Sequence, residues 1–154
     1  MARPDTDPEL LRALMLLQDL ILEGAEIDVR PRRFDTPTPL SRAEIHTLSE
    51  IADCPGLGTS ELAERLRVTK GAISQMLKRL EQKGLLEREA VGRRVSLEPT
   101  ALGWRAHRAH QDFHLRQAEV LGAQYSDPGT LQRDREALER LLAGVRAFGA
   151  QDQS

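Results

Sequence analysis

Four histidines are the side chains of this sequence best suited to bind a metal ion. Three of them, His107, His110 and His114, follow one another at spacings of three and four residues. A helix turns by about 100° per residue, so this spacing places the three imidazoles on one face. His110 and His114 lie one helical turn apart, a spacing at which two imidazoles can bind the same ion. The fourth, His46, lies on an earlier predicted helix.

Three imidazoles and one carboxylate would complete a tetrahedral shell for Zn²⁺ without a thiolate. The acidic end of the first predicted helix offers three carboxylates, those of Glu23, Glu26 and Asp28. A filled shell leaves no open position for an activated water, so such a site would be regulatory rather than catalytic. Nitrogen ligands suit Ni²⁺ and Cu²⁺ as well. The other interpretation is that these histidines are ordinary polar residues on a helix facing a partner subunit.

A second pattern lies in the segment "TKGAISQMLKRLEQKGLL", residues 69–86. It predicts a helix from Lys70 to Lys83 with an apolar stripe at i, i+3, i+4 and i+7, formed by Ile73, Met76, Leu77 and Leu80. The opposite face begins with short or amide side chains and then becomes basic. A helix that enters a DNA major groove needs this arrangement, because its first turns approach the base edges closely. The basic residues could reach the flanking phosphates: Lys78, Arg79 and Lys83.

The segments on either side predict a helix-turn-helix followed by a wing. "TSELAERLR" is predicted to form the preceding helix, capped by Thr59, and Val68 is predicted to fill the turn. "LLEREAVGRRVSLEP" predicts a β-hairpin with its turn at residues 91–92. Arg93 and Arg94 follow that turn and could enter a minor groove. Residues 59–97 contain nine Lys or Arg against five Glu, so the whole module is basic.

The rest of the chain predicts long helices around this module. One opens at Asp7-Pro8 and extends to about residues 24–28, and another starts at Ser41 with Glu44 as its capping-box partner. Two more are expected at about 100–124 and 130–148. The predicted fold is therefore mainly α, with a winged helix-turn-helix core and long N- and C-terminal helices. We expect one domain over residues 1–154, its core at about 38–98.

Composition excludes several other classes. Aromatic residues make up 3% of the 154, which argues against base stacking on an aromatic platform. The lone cysteine, Cys54, cannot form a disulfide within one chain. No apolar stretch is long enough to span a bilayer, and we expect a cytoplasmic protein. No phosphate-binding loop or nucleophile motif is present, so we do not expect an enzyme.

The stretch "LAERLRVTKGAISQMLKRLEQKGLLERE", followed by "GRRVSLEPTALG", resembles the winged-helix core of MarR-type transcriptional regulators. The resemblance implies a homodimer, with dimerisation helices at about 7–28 and 100–149, that reads a pseudo-palindrome in double-stranded DNA. The wing lacks the Asp that usually precedes its arginine in this family. We expect DNA contacts from the positions that match the family motif and from polar residues next to them. These are Thr59, Ser60, Thr69, Lys70, Gly71, Ser74, Gln75, Lys78, Arg79, Arg93 and Arg94.

The histidines resemble those of a zinc-sensing subgroup of MarR-like repressors. That resemblance implies the metal ligands His46, His110 and His114, with a carboxylate near the end of the first helix as the fourth. Two alignments with that subgroup identify different residues as this carboxylate. Counting back from His46 without a gap gives Asp28, whereas matching the apolar positions of the first helix gives Glu26. The expected function is then a repressor whose DNA affinity is raised by bound zinc.

Two other effectors fit the same fold. A small organic anion could bind beside the histidines and three arginines of the loop after the first helix, Arg30, Arg32 and Arg33. A thiol sensor would use Cys54, but MarR-like peroxide sensors place their cysteine near the start of the first helix. Cys54 lies after the second helix, which disfavours this third interpretation.

Overall fold

The computed structural model of the protein describes residues 7–91 and 94–151. Within these ranges it is mainly helical, with a small antiparallel hairpin, as the sequence predicted. The chain forms two compact units, one ending at Gln111 and the other starting at Asp112. The elements are α1 (Pro8–Val29), α2 (Arg42–Asp53), α3 (Thr59–Arg65), α4 (Lys70–Gln82), β1 (Leu86–Val91), β2 (Arg94–Pro99), α5 (Ala101–Gly122) and α6 (Pro128–Gln151).

Several helices begin at the capping residues that the sequence predicted. Asp7 accepts a hydrogen bond from the backbone N–H of Glu9, and Pro8 occupies the first turn of α1. Ser41 and Glu44 form a reciprocal capping box at the start of α2. These polar caps satisfy backbone N–H groups that have no partner inside the helix.

The helix-turn-helix formed by α3 and α4 differs from the prediction in three details. The residue that caps α3 is Gly58, and Thr59 is the first residue of the helix. The helix ends at Arg65 because Arg67 adopts a left-handed conformation with φ 53°, which a helix cannot continue. Val68 does not fill the turn, since it remains 45% exposed.

The core of the first unit lies between α2, α3, α4 and the hairpin. Of the predicted stripe on α4, Ile73, Leu77 and Leu80 are buried, and Met76 is half-buried. They pack with apolar residues of α2 and α3, among them Ile45, Leu48 and Leu62. Burial of this face holds α4 with its opposite face outward.

The start of α5 is fixed against the junction between α4 and β1. The Thr100 hydroxyl donates to the Gly84 carbonyl at 2.7 Å and accepts from the Gly103 N–H at 3.0 Å. A Cβ atom on Gly103 would lie 2.1 Å from the Leu85 carbonyl oxygen. Only glycine permits so close an approach, so this contact sets where α5 leaves the core.

The long terminal helices expose apolar faces. On α1, the exposed apolar residues include Leu10, Leu14, Met15, Leu20 and Ile21. On α6, in the second unit, they include Leu131, Leu138, Leu142, Val145 and Phe148. Exposed apolar surface of this extent is typical of a protein–protein interface.

Candidate nucleic-acid interface and candidate metal centre

The outward face of α4 carries the side chains that the sequence assigned to base reading. Thr69 caps the helix by accepting a hydrogen bond from the Ala72 N–H at 3.1 Å. The Ser74 hydroxyl donates to the Lys70 carbonyl at 3.0 Å, which keeps its side chain close to the helix. All seven predicted positions on this helix are exposed: Thr69, Lys70, Gly71, Ser74, Gln75, Lys78 and Arg79.

The small residues at the start of α4 leave its backbone accessible. A Cβ atom at Gly71 would meet nothing nearer than the Thr69 hydroxyl, 3.9 Å away. Backbone N–H groups at a helix N-terminus, with the helix dipole behind them, attract phosphate. On α3, Ser60 is exposed and Thr59 half-buried. The geometry therefore suits close approach of a nucleic acid at this end of α4.

Lys83, by contrast, is not a phosphate-binding side chain in this structure. Its ammonium forms an ion pair with the Glu44 carboxylate at 2.7 Å and donates to the Pro39 carbonyl at 3.0 Å. Burial raises the pKa of Glu44, but the Lys83 ammonium and the hydrogen bonds from Ser41 outweigh it and leave the pKa lowered. The expectation that Lys83 reaches DNA is corrected, because the side chain joins the end of α4 to α2.

The wing has the predicted hairpin register. Val91 pairs with Arg94 and Leu86 with Pro99. Leu86 and Leu97 are buried, so one face of the hairpin packs on the core. Arg93 and the side chain of Arg94, the predicted wing contacts, lie outside the described residues.

Three of the predicted metal ligands lie together on α2 and α5. Nitrogen atoms of His46, His110 and His114 all lie within 4.8 Å of one another. The rings of His46 and His110 meet edge to face, with centroids 5.1 Å apart. His110 is buried, His46 is half-buried and His114 is exposed. Buried Phe34 also contacts His110 edge to face, with ring centroids 5.2 Å apart.

Among the described side chains, no carboxylate belongs to this group. Glu26 lies on α1 with an exposed side chain. The side chain of Asp28, the other predicted ligand, lies outside the described residues. The described side chains therefore bring three nitrogen ligands together, and the fourth ligand remains a prediction.

Hydrogen bonds at the Nδ1 atom orient two of the three imidazoles. The Nδ1 atom of His114 lies 3.0 Å from the Gln117 Oε1 atom, which can only accept. His114 must therefore donate from Nδ1, so in the neutral ring its lone pair is on Nε2. The Nδ1 atom of His110 lies 3.0 Å from the Ser49 hydroxyl. Partners of this kind fix the ring orientation of metal-binding histidines, and the residues fit a metal ion on that ground.

Sequence reasoning missed Ser49 and Gln117 and left His107 without a role. His107 is buried, with Nδ1 3.2 Å from the Ser49 hydroxyl and Nε2 3.2 Å from the Asp53 carboxylate. A signal for these contacts was present, because His46, Ser49 and Asp53 recur at spacings of three and four on α2. That spacing matches the one between the three histidines of α5.

Cys54 is half-buried at the end of α2. The guanidinium of Arg65 donates to its sulfur at 3.2 Å and also to the Glu50 carboxylate. The Glu50 carboxylate and Cys54 both raise the pKa of Arg65. The thiol thus takes part in a surface contact between α2 and α3.

A cavity of about 410 Å³ opens between α2 and the helix-turn-helix. Its walls are mostly apolar, and they include Val68, Ile73 and Met76 from the turn and α4. Arg42, His46 and Thr47 supply its polar groups on α2. His46 therefore borders both this cavity and the histidine group.

Comparison with known proteins is consistent with this architecture. The model described as MarR family matches residues 40–91, which span α2 to β1. Comparison with curated proteins finds no match by sequence. In the described part of the chain, no helix is long and apolar enough to cross a membrane.

Several solved structures superpose over most of the chain. Streptococcus pneumoniae FabT in complex with DNA is 26% identical, with a TM-score of 0.69 over 91% of this chain and 97% of that one. The zinc-dependent regulator AdcR in its Zn(II)-bound state is 22% identical, with a TM-score of 0.68 over 91% and 99%. A Staphylococcus aureus MepR–DNA complex is 19% identical, with a TM-score of 0.65 over 90% and 99%.

The fold is that of winged-helix DNA-binding transcription regulators, and α4 occupies the position of their DNA-reading helix with its polar face exposed. The matched family model covers about a third of the chain, and the structural neighbours share the winged-helix fold with it.

Proposed function

We propose that the protein is a homodimeric repressor whose affinity for a pseudo-palindromic operator increases when Zn²⁺ binds to His46, His110 and His114. The observation that carries the proposal is the convergence of these three imidazoles on two helices. Zinc accepts three imidazoles and an oxygen ligand in a tetrahedral site. Glu26 or Asp28 remains the proposed oxygen ligand.

The DNA-binding part of the proposal rests on α4. Its exposed face begins with small polar side chains and continues with Lys78 and Arg79. FabT and MepR, which share the fold, were crystallised with DNA. We assign base reading to Thr69, Lys70, Gly71, Ser74 and Gln75, and phosphate contacts to Lys78 and Arg79, with support from Thr59 and Ser60. The wing arginine, Arg93 or Arg94, would contact the minor groove.

The dimer follows from the exposed apolar faces of α1 and α6. Each CH₂ group buried contributes about 0.8 kcal/mol, so pairing such faces between two chains is strongly favourable. A twofold dimer presents two α4 helices to successive turns of the duplex, which matches a palindromic site.

Zinc regulation is proposed as a shift between conformers. The three histidines lie on α2, which packs against α4, and on α5, which leaves the core at Gly103. Joining α2 to α5 would favour the orientation of α4 that fits two successive major grooves. The gain in DNA affinity is limited by the preference of the metal for that conformer. The zinc-dependent AdcR has the same fold.

The test is a DNA-binding titration of the purified protein with and without Zn²⁺, on an operator selected from random duplexes. We expect zinc to tighten binding about 5- to 150-fold, the usual range of allosteric coupling. His110→Ala and His114→Ala should remove the zinc effect and keep the metal-free affinity, whereas Gln111→Ala, on the same helix, should keep both. Equal affinity with zinc and with chelator would disprove metal regulation.

The cavity beside α4 supports a second candidate, an organic anion as effector. Arg42 could bind the carboxylate of such an anion, while Ile73 and Met76 contact its apolar part. Such a ligand would contact α4 directly. An effect on DNA binding that persists unchanged in EDTA would favour this candidate over zinc.

A further inference from the structure

The polar stripe on α2 pairs with the histidine stripe on α5. His46, Ser49 and Asp53 lie near His114, His110 and His107 in reverse order, which indicates that the two helices run in opposite directions here. Asp53 contacts His107, Ser49 contacts both His107 and His110, and His46 lies against His110. The metal ligands occupy one end of this double stripe and a carboxylate the other.

Four groups form a continuous hydrogen-bonded chain. The Asp53 carboxylate lies 3.2 Å from Nε2 of His107, and Nδ1 of His107 lies 3.2 Å from the Ser49 hydroxyl. The same hydroxyl lies 3.0 Å from Nδ1 of His110. Ser49, His107 and His110 are all buried, so water does not supply alternative partners freely.

The carboxylate determines the direction of every bond in this chain. An ionised Asp53 can only accept, so His107 donates from Nε2, and in its neutral ring Nδ1 must then accept. The Ser49 hydroxyl has one proton, which it donates to His107, so it accepts from Nδ1 of His110. The lone pair of the neutral His110 ring is consequently on Nε2, the nitrogen opposite Ser49.

We propose that Asp53, His107 and Ser49 are positioning residues that hold His110 in the tautomer a metal ion requires. The inference rests on the proposed zinc site. A free imidazole divides its proton between both nitrogens, whereas this chain selects one before the metal arrives. It also explains why His107, which is not in the ligand group, is buried with both nitrogens hydrogen-bonded.

Zinc affinity of the full-length protein, measured by competition with a chromophoric chelator, tests the inference. Ser49→Ala should weaken zinc binding about 10- to 100-fold, the usual cost of losing a partner behind a metal-bound histidine. Asp53→Asn should weaken it about tenfold, at the low end of that range, because an amide can donate as well as accept and no longer fixes the direction. Glu50→Gln removes a carboxylate from the same helix outside the chain and should leave the affinity unchanged.

A second readout separates positioning from a general effect on the fold. In the metal-free protein, ¹H–¹⁵N NMR correlations of the His110 ring should show the proton on Nδ1, and Asp53→Asn should shift it toward a mixture. Asp53 is an exposed side chain, so this variant should fold even if Ser49→Ala does not.

The outcomes are distinct. Failure of the unaltered protein to bind zinc overturns both the metal regulation and this inference. Zinc binding with equal affinity in Asp53→Asn and Glu50→Gln, or a His110 proton on Nε2, overturns the positioning role and leaves the metal site standing.

Discussion

At the scale of single residues, the buried polar groups of the first unit are paired with unusual completeness. Among the described side chains, no buried nitrogen or oxygen atom lacks a hydrogen-bond partner. An unpaired buried polar group costs about 1–3 kcal/mol, so each partner contributes to the stability of the fold. Ser49 forms hydrogen bonds with two buried imidazoles. Glu44 accepts a hydrogen bond in the α2 cap and also pairs with Lys83.

The pair formed by Glu44 and Lys83 leads to a prediction about stability. Glu44→Gln should lower the free energy of unfolding at pH 7 by about 1–3 kcal/mol, because the part-buried Lys83 hydrogen bond loses its charged acceptor. Since the pKa of folded Glu44 is below its ordinary value of 4.5, its contribution is present above that value and is lost as the pH falls through the folded pKa. Denaturant unfolding at pH 7 and pH 3, at one protein concentration, should show a smaller difference between variant and parent at pH 3.

An exposed ion pair provides the control. Glu9 bonds Arg12 at 2.6 Å on α1, with both side chains about three-quarters exposed. Glu9→Gln should change the free energy of unfolding by less than about 1 kcal/mol. A Glu44→Gln effect no larger than that of Glu9→Gln would contradict the assigned role.

At the scale of elements, the sequence correctly predicted the features that depend on apolar periodicity and helix capping. The stripe on α4, the capping box at Ser41 and the hairpin at residues 86–99 agree with the structure. The end of α3 was misplaced because the left-handed conformation of Arg67 has no signature in the residue type. Lys83 was misassigned because its partner Glu44 is 39 residues away, and periodicity contains no information on such contacts.

Part of the candidate metal site could likewise be predicted from the sequence, and part could not. Spacing and resemblance together predicted that His46, His110 and His114 converge, although two of them are separated from His46 by more than sixty residues. Ser49 was not predicted, because a serine on a helix is usually solvated or bonded to its own backbone. Its role depends on the packing of α5 against α2, which the sequence alone does not specify.

Gly103 provides the prediction at this scale. Gly103→Ala should lower the free energy of unfolding by about 1–3 kcal/mol, because the new methyl group would overlap the Leu85 carbonyl, a backbone group that cannot rotate away. Gly122→Ala, at the end of the same helix, meets nothing within 4 Å and should leave stability unchanged or slightly higher. Thermal unfolding of the two variants under the same conditions checks this. Equal melting temperatures would show that α5 is free to shift at Gly103.

For the whole molecule, its near-neutral charge is unequally distributed in a way that suits a DNA-binding dimer. The formal net charge is −2, yet residues 59–97 are basic. Basic charge is thus concentrated on the helix-turn-helix and wing, while α1 and α6 carry many of the exposed apolar residues, with others on α5. Two functions, contact with the duplex and contact with a second copy, are assigned to separate surfaces. A twofold dimer then doubles every contact that one chain makes.

This doubling gives a measurable prediction for Lys78, which is exposed on α4. Each phosphate contact contributes about 0.9 to the slope of log K against log salt concentration, so Lys78→Gln should reduce the slope of a dimer by about 1.8. Lys83→Gln should leave the slope unchanged, because that ammonium is engaged by Glu44 and Pro39 and releases no counterion from DNA. Fluorescence anisotropy on one operator duplex, titrated at several salt concentrations, measures both. A reduction of about 0.9 for Lys78→Gln would indicate one contacting chain per site, and equal reductions for both variants would return Lys83 to the DNA interface.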